Sequence, residues 1–458
     1  MSVPAGRRTA VVVGSGPNGL AGALALARAG FEVTVHEAAA TVGGGCRSAE
    51  LTLPGVVHDV CAAILPLARR SPAFRDVDVE WVDPPAPAAH PLVDGDAVVL
   101  EHSLDETVEN LGADGKLYRK LVTPFVRAWP REWSWREVAR VRPRLLHALE
   151  SAERLCGRFS TERARAFVAG HAAHSVLPLE RRPSAGFAFA LCAAAHVDGW
   201  PFPRGGAQSL TDAVVRALEE RGGEVRTESL VDELPRADVV LCDVAPRELV
   251  RLAHGRLAPR HVRALLRYRH APAAYKLDWA LREPIPWRSE ACGRAGTVHL
   301  GATYDEIAAS ERASCAGAGA GERPFVLLAQ QSRFDDARGG QSAWAYCHVP
   351  NGWSGDATDA IEGQVERFAP GFRETIVARH VTTPRAFEDA NRNDVGGDIV
   401  GGTNTLLQLV VRPVLRAVPW RTPLRGVYLC SASTPPGGGV HGLCGLAAAR
   451  LALRDLGY

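Results

Sequence analysis

The sequence predicts an α/β fold in two parts: a doubly wound, parallel-sheet domain assembled from discontinuous segments, and an α+β domain with a mixed sheet. Three observations predict it. A strand, glycine turn, helix, glycine, strand unit opens the chain at residue 9. A second glycine cluster, PPGGGVHG at 435–442, follows the strand-like run 426–429 and precedes the helix-like run 446–456. The long stretch between them holds several alternating, strand-like runs without repeating the opening unit.

Composition sets the outer limits. A chain of 458 residues, 46% apolar and 23% charged, is an ordinary soluble globular protein of two or three domains. The net charge of +2 gives no electrostatic case for nucleic acid or an anionic membrane. Lysine occurs only at Lys116, Lys120 and Lys276, which reads as the codon bias of a GC-rich, bacterial genome. Ten scattered cysteines, without a CxxC pair or a metal-ligand spacing, read as free thiols of a reducing cytoplasm. No segment before Thr9 resembles a signal peptide. The apolar stretch 10–30 is broken by Gly14, Gly16, Pro17 and Gly19, against a transmembrane helix.

The opening unit comes first in the argument. Its β-branched run 9–13 suits a central parallel strand, and Gly14-x-Gly16-Pro17-Asn18-Gly19 opens a helix that Gly30 closes. The first glycine makes the turn, the second admits a pyrophosphate to bare backbone, and the third lets helix and strand pack closely. Helix N–H groups and the helix dipole then face the phosphates. Glu37, at the end of the second strand, would accept ribose hydroxyls and repel a 2′-phosphate. This is a Rossmann-type dinucleotide site. After Glu37 comes a second glycine turn, VGGGCRS, with Gly43, Gly44, Gly45 and Arg47. That addition is foreign to the simple NAD pattern and belongs to proteins that bind FAD.

The middle of the chain is read more coarsely. DPPAPAAHP (83–91) reads as a linker, and 104–180 as mainly helical and amphipathic, with Trp129, Trp133 and Trp135 near a break. Residues 199–246 return to the nucleotide domain through a glycine turn, a helix and two strands. The runs 271–287, 324–335 and 342–353 alternate as strands of a mixed substrate sheet, the first as an edge or half-buried strand. CAGAGAGER (315–323) is a flexible loop. Domain boundaries follow: 1–82, 199–258 and 415–458 form the FAD-binding domain, and 83–198 with 259–414 the substrate-binding domain.

GSGPNGL, VGGGCRS, GWPFPRGGAQSL, PFVLLAQQSRFD, SAWAYCHVP, VERFAPGF, VGGDIVGGTNTL and YLCSASTPPGGGVHGLCG are spread over nearly the whole chain. They resemble the bacterial phytoene desaturase-like oxidoreductases of the amine oxidase superfamily, notably the pyridine nucleotide-disulfide oxidoreductase domain protein 2-like branch. The resemblance implies FAD bound non-covalently and a long, mostly apolar substrate cavity. It implies a main-chain contact from Val231 to adenine. Ser433, Gly438, Gly439 and Val440 would complete the flavin site, with the following helix aimed at the ring. The acid that holds the ribityl chain in many such enzymes is absent, and Ser431 with Ala432 stands in that region.

Four residues are candidates for chemistry. His441 either faces the ring or substrate, or bonds to nearby backbone at its helix start. Lys276 corresponds to the lysine that holds a water near the flavin in amine oxidases, or is a solvated strand residue. His58 lies with Asp59 where relatives' chains pass the flavin, and a structural hydrogen-bonding pair is the alternative. Tyr346 and His348 alternate onto one strand face and would line the cavity. Cys430 and Cys444 read as small core residues.

The expected activity is an FAD-dependent dehydrogenase or desaturase acting on C–C bonds of an apolar, polyene- or isoprenoid-like metabolite in bacterial specialised metabolism. The alternatives are a redox-neutral isomerase, an amine (C–N) oxidase and, remotely, a prenyl-binding protein of the dissociation-inhibitor type. The electron acceptor and the oligomeric state have no signature. The apolar run 405–420 reads either as core or as peripheral membrane contact.

Overall fold

The computed structural model describes residues 8–129 and 143–458. Trp133 and Trp135 lie outside the described residues.

The first sheet has five parallel strands, in the order Val427–Leu429, Val239–Cys242, Thr9–Val13 (β1), Glu32–His36 and Glu224–Arg226. β1 lies at its centre, where both faces are covered and an almost wholly apolar run is required. The helix Pro17–Arg28 (α1) follows β1, and the C-terminal helix Leu443–Asp455 packs directly against it. Glycine makes that crossing close: a Cβ on Gly445 would stand 1.7 Å from the Asn18 carbonyl oxygen. Val12, Val33, Val35, Leu241, Ala449 and Leu451 fill the core between sheet and helices.

The second sheet has seven strands, in the order Ile376–Thr382, Ala273–Leu281, Ser342–Val349, Val326–Ala329, Ala295–Leu300, Ala86–Pro91 and Ala97–Leu100. Its neighbours are antiparallel except for Ala295–Leu300 beside Ala86–Pro91, so the sheet is mixed.

Two readings of the sequence are corrected here. Ala273–Leu281 is a central strand, buried throughout. Its alternation marks a face of buried polar residues, Lys276 and Asp278, and not a solvated one. The Pro/Ala-rich stretch taken as a linker contains the strand Ala86–Pro91, also buried throughout. Small alanine side chains fit between the crowded layers, and the stretch pairs mainly through Ala86, Ala88 and Ala89. Beyond 180, the apolar run Ser184–Asp198 is a further helix, stacked on Glu162–Ala173. Loop 317–323 follows the helix Tyr304–Ala316.

All ten cysteines are free. No helix among the described residues is long and apolar enough to cross a membrane.

Candidate cofactor cleft and the polar face beside it

A cleft of about 530 Å³ opens at the C-terminal ends of the parallel strands. In doubly wound sheets this edge is where ligands bind. Its floor is the first glycine loop. Gly14 has φ +97°, and a Cβ there would stand 2.8 Å from the Asp243 carbonyl oxygen. A Cβ on Gly16 would stand 2.7 Å from Asp243 Oδ2, and one on Gly19 2.2 Å from the Gly14 carbonyl. Each position therefore admits hydrogen alone. Gly16 caps α1 without a side-chain hydrogen bond and Pro17 has no N–H; Gly19 N–H is taken by Asp243, so Asn18 N–H and the helix dipole remain to face an anion. Asn18 Oδ1 is buried beside them without a partner.

The second glycine turn crosses the first. A Cβ on Gly44 would meet Gly16 Cα at 3.1 Å, and Gly43 (φ +115°) donates its N–H to the Ser15 carbonyl oxygen at 3.1 Å. Gly45 and Arg47 line the cleft, and Arg47 Nε donates to the Gly44 carbonyl at 3.0 Å. Glu37 stands at the end of the second strand. Its Oε2 accepts from Ser15 N at 3.0 Å and Ser15 Oγ at 2.5 Å, and its Oε1 from Ala39 N at 2.9 Å. Val231 lines the same end, its carbonyl taken by Arg251 Nη2.

The far wall is Ser431, Ala432, Ser433, Gly438, Gly439 and Val440. Here the structure corrects the expected helix start. The helix begins at Leu443, after Gly442 in the left-handed region (φ +65°), so 438–440 is loop and not the first turn. His441 is not among the cleft-lining residues. Its Nδ1 accepts from Leu443 N at 3.0 Å, a local cap on the helix that follows, and Nε2 is buried without a partner. Burial pushes its pKa down to about 4, so the ring is neutral.

The other candidate residues belong to the adjoining face of the second sheet. Lys276 is 1% exposed, its Nζ 2.5 Å from both Asp278 oxygens and 5.3 Å from the centre of the Trp344 ring. His58 Nδ1 approaches Asp278 Oδ1 at 3.5 Å, while its Nε2 lies 2.7 Å from Thr52 Oγ1. His58 and Asp59 are thus not paired with each other, because adjacent strand residues point to opposite faces. Asp59 instead binds buried Arg338, Ser48 Oγ and Ala207 N. Tyr346 pairs across the ladder with Lys276 and stacks on Trp344, their ring centres 5.8 Å apart. His348 follows on the same face and meets Glu311 at 2.8 Å.

Three groups were not singled out in the sequence. Asp278 shares Lys276's face two residues on, a signal that strand alternation carries. Asp243 ends the strand Val239–Cys242 and accepts from Gly19 N at 2.8 Å. Burial, and the charge of Glu37 after it, raise its pKa to about 7. Asp394 lines the cleft from a distant loop and is raised to about 8 by burial and Asp398. Neither loop acid carries a motif.

Further along the same side of the sheet, in the cross-strand row of Lys276, Tyr346 and Leu327, His299 meets a histidine cluster with buried His90 and His171 and half-buried His174. His174 and His299 meet Nε2 to Nε2 at 3.0 Å, and His90 Nδ1, His171 Nε2 and His299 Nδ1 are buried without partners. Burial lowers the pKa of His90 and His171 to about 4 and of His174 to about 3, and lowers that of His299 well below the ordinary imidazole value. Among the described residues no group of His, Cys, Asp and Glu is arranged to hold a metal ion.

Comparison with known proteins agrees with this geometry. Residues 12–78 match an NAD(P)-binding Rossmann-like domain family. Pyridine nucleotide-disulfide oxidoreductase domain-containing protein 2 of Mus musculus is 24% identical, aligned over 98% of this chain and 93% of its own. Among solved structures, an oxidoreductase from Methanosarcina mazei superposes with a TM-score of 0.67 at 14% identity, covering 98% of this chain and 100% of the other. A double mutant of putrescine oxidase gives 0.64 at 16%, covering 99% of each. A CLA-producing fatty acid isomerase from P. acnes gives 0.57 at 13%, again covering 99% of each. The chain is therefore homologous to the mouse protein over most of both sequences and has a Rossmann-like fold shared with these oxidoreductases.

Proposed function

We propose that the cleft binds FAD non-covalently. On this reading the protein is a phytoene desaturase-like, FAD-dependent oxidoreductase that acts on C–C bonds of an apolar, polyene- or isoprenoid-like metabolite in bacterial specialised metabolism. One observation carries the proposal: Gly14–Asn18, Glu37 with Gly44–Arg47, Val231, and Ser433 with Gly438–Val440, from four separate parts of the sequence, line one cavity, while Gly19 and Gly43 pack beneath it. The cradle fits the group. Side chains at Gly14 and Gly16 would strike Asp243 and one at Gly44 would strike Gly16, so the cleft floor is bare backbone, and an unpartnered polar atom, Asn18 Oδ1, sits beside it.

The chain's own residues divide the work. The Asn18 N–H at the dipolar start of α1 and the Arg47 guanidinium take the pyrophosphate. Glu37 keeps lone pairs for ribose hydroxyls, because a carboxylate offers about four acceptor sites and three are in use. Val231 lies where adenine would rest, and the Gly438–Val440 backbone where the ring would. Bound there, FAD supplies the capacity to accept a hydride. Trp344, Tyr346, Lys276 and His58 do not line this cleft; they form the buried face beside it, where the aromatic pair would exclude water from an apolar substrate and Lys276, held by Asp278, would hold a proton or a water.

The test is direct. Purified protein is expected to be yellow, and the flavin released on heating to migrate as FAD. Colourless protein that ignores added FAD would overturn the reading. Anaerobic turnover with no net change in flavin absorbance would move the reaction to a redox-neutral isomerisation, and ammonia release to amine oxidation.

A further inference from the structure

The net charge of +2 conceals a strong segregation. No aspartate or glutamate occurs in 249–277 or in 399–454, although the whole chain contains 51. The two acid-free segments are far apart in sequence and meet in space. Gln408 Nε2 donates to the Arg269 carbonyl at 2.7 Å, Thr403 N to the same carbonyl at 3.0 Å, and Gln408 Oε1 accepts from Arg269 N at 3.1 Å. The join carries a groove of about 320 Å³, with Leu265 and His261 on one side and Leu415 and Arg416 on the other.

This surface is both basic and apolar. Leu407 is 74% exposed, Val410 72%, Leu415 78% and Leu266 57%. They are among the most exposed large apolar side chains described, yet they come from three short stretches of one region. Arg260, Arg263, Arg267 and Arg269 are exposed in the same region, and among the described residues none forms an ion pair with a carboxylate. Arg416 belongs to the groove, and Arg421, which pairs with Asp455, borders it. Leucines that stand out into water between unpaired arginines match a bilayer interface. There the apolar groups enter the acyl boundary and the guanidinium groups meet lipid phosphate. A nucleic acid would use the arginines and leave the leucines in water.

We propose that the face formed by 259–269 and 403–416 docks on the surface of an anionic phospholipid bilayer. The face adjoins the cofactor cleft, because Tyr268, His270 and Gly401 line that cleft from the same two segments. Docking would thus set the cleft beside the bilayer, the natural reservoir of an apolar substrate. That last consequence rests on the proposed function; the docking does not.

The experiment is vesicle flotation of the full chain, with vesicles of phosphatidylcholine alone and of phosphatidylcholine with phosphatidylglycerol. Flotation is expected with the anionic vesicles and is expected to weaken as salt rises. The Leu407→Asp/Leu415→Asp variant should lose at least tenfold in vesicle affinity. Replacing Arg260, Arg263 and Arg267 by Gln should cost roughly fivefold each, on anionic vesicles alone. Far-UV circular dichroism and melting temperature, unchanged in the variants, show that the fold is intact. No flotation with anionic vesicles, or equal flotation of the leucine variant, would overturn the proposal. So would a wild-type dimer in light scattering that Leu407→Asp dissolves, since the face would then join two copies. Flavin content is measured separately, so failure here is distinguishable from failure of the FAD reading.

Discussion

The cofactor cleft and the polar face of the second sheet are adjacent, but they are built from different material. The cleft is made chiefly of backbone: glycines that admit no side chain, and the open first turn of a helix. The polar face is made of polar side chains enclosed by the fold: Lys276 with Asp278 and His58, and the four histidines further along the same side of the sheet. Backbone sites cost little to keep, because their donors would be unpaired at a helix start in any case. Buried ionisable groups are expensive unless partnered or neutral. The difference teaches that the first region is shaped by close backbone packing, as the proposed anion site requires, and the second stores a sensitivity to charge.

Acidification should break the second region first. The folded pKa values of His90, His171, His174 and His299 are depressed below the unfolded value of 6.5. The unfolded chain therefore binds more protons, and stability is lost as pH falls below 6.5. The loss is about 1.4 kcal/mol per histidine at pH 5.5. Together this is the largest expected effect, on the order of 5 kcal/mol. It is read as urea midpoints between pH 7.5 and 5.5, and a flat profile would remove the cluster's role.

Lys276→Met comes next. It leaves the Asp278 carboxylate buried with only His58 near, at a cost of about 3–5 kcal/mol. The double change Lys276→Met/Asp278→Leu should recover most of that loss, as measured by chemical denaturation. Full recovery of stability without recovery of turnover would assign the pair to chemistry.

In the cleft the expected effects are smaller and of opposite sign. Asp243 carries a folded pKa raised to about 7, so the folded state binds the extra proton between about 4 and 7 and stability falls as pH rises through that range. Asp243→Asn keeps an acceptor for Gly19 N–H and removes the charge. At pH 8 it should stabilise the protein by about 2 kcal/mol and bind FAD more tightly than wild type, with a flatter pH dependence, followed by flavin fluorescence.

His441→Ala is the smallest. Loss of its cap on Leu443 N should cost about 1 kcal/mol and leave turnover per bound flavin unchanged. A large fall in that turnover would return His441 to the reacting centre.

Legibility divides along the same line. Gly14, Gly16, Gly19, Glu37, Gly43 and Gly44 were readable because a glycine's reason for being there is local: a left-handed φ or a backbone within 3 Å. The buried strand Ala86–Pro91 was not readable, since its prolines and alanines mark a linker until two neighbouring strands enclose them. Lys276 was visible as a strand residue, but its burial was not. That depends on Asp278, His58 and Trp344 arriving from three strands. His441 showed the limit in another way, for a one-turn delay of the following helix decides whether it caps or reacts.

The sequence by itself determined the opening strand–turn–helix–strand unit, the glycine cradle and the acid at the end of the second strand, because these follow from rules acting within a few residues. Only the tertiary structure decided that Asp243 and Asp394 join the cleft and that four histidines share one interior. It alone brought two acid-free segments, separated by more than a hundred residues, together as a single basic and apolar face. Such groupings depend on which chain segments meet, and the free energy that brings them together is spread over the whole core rather than written at either site.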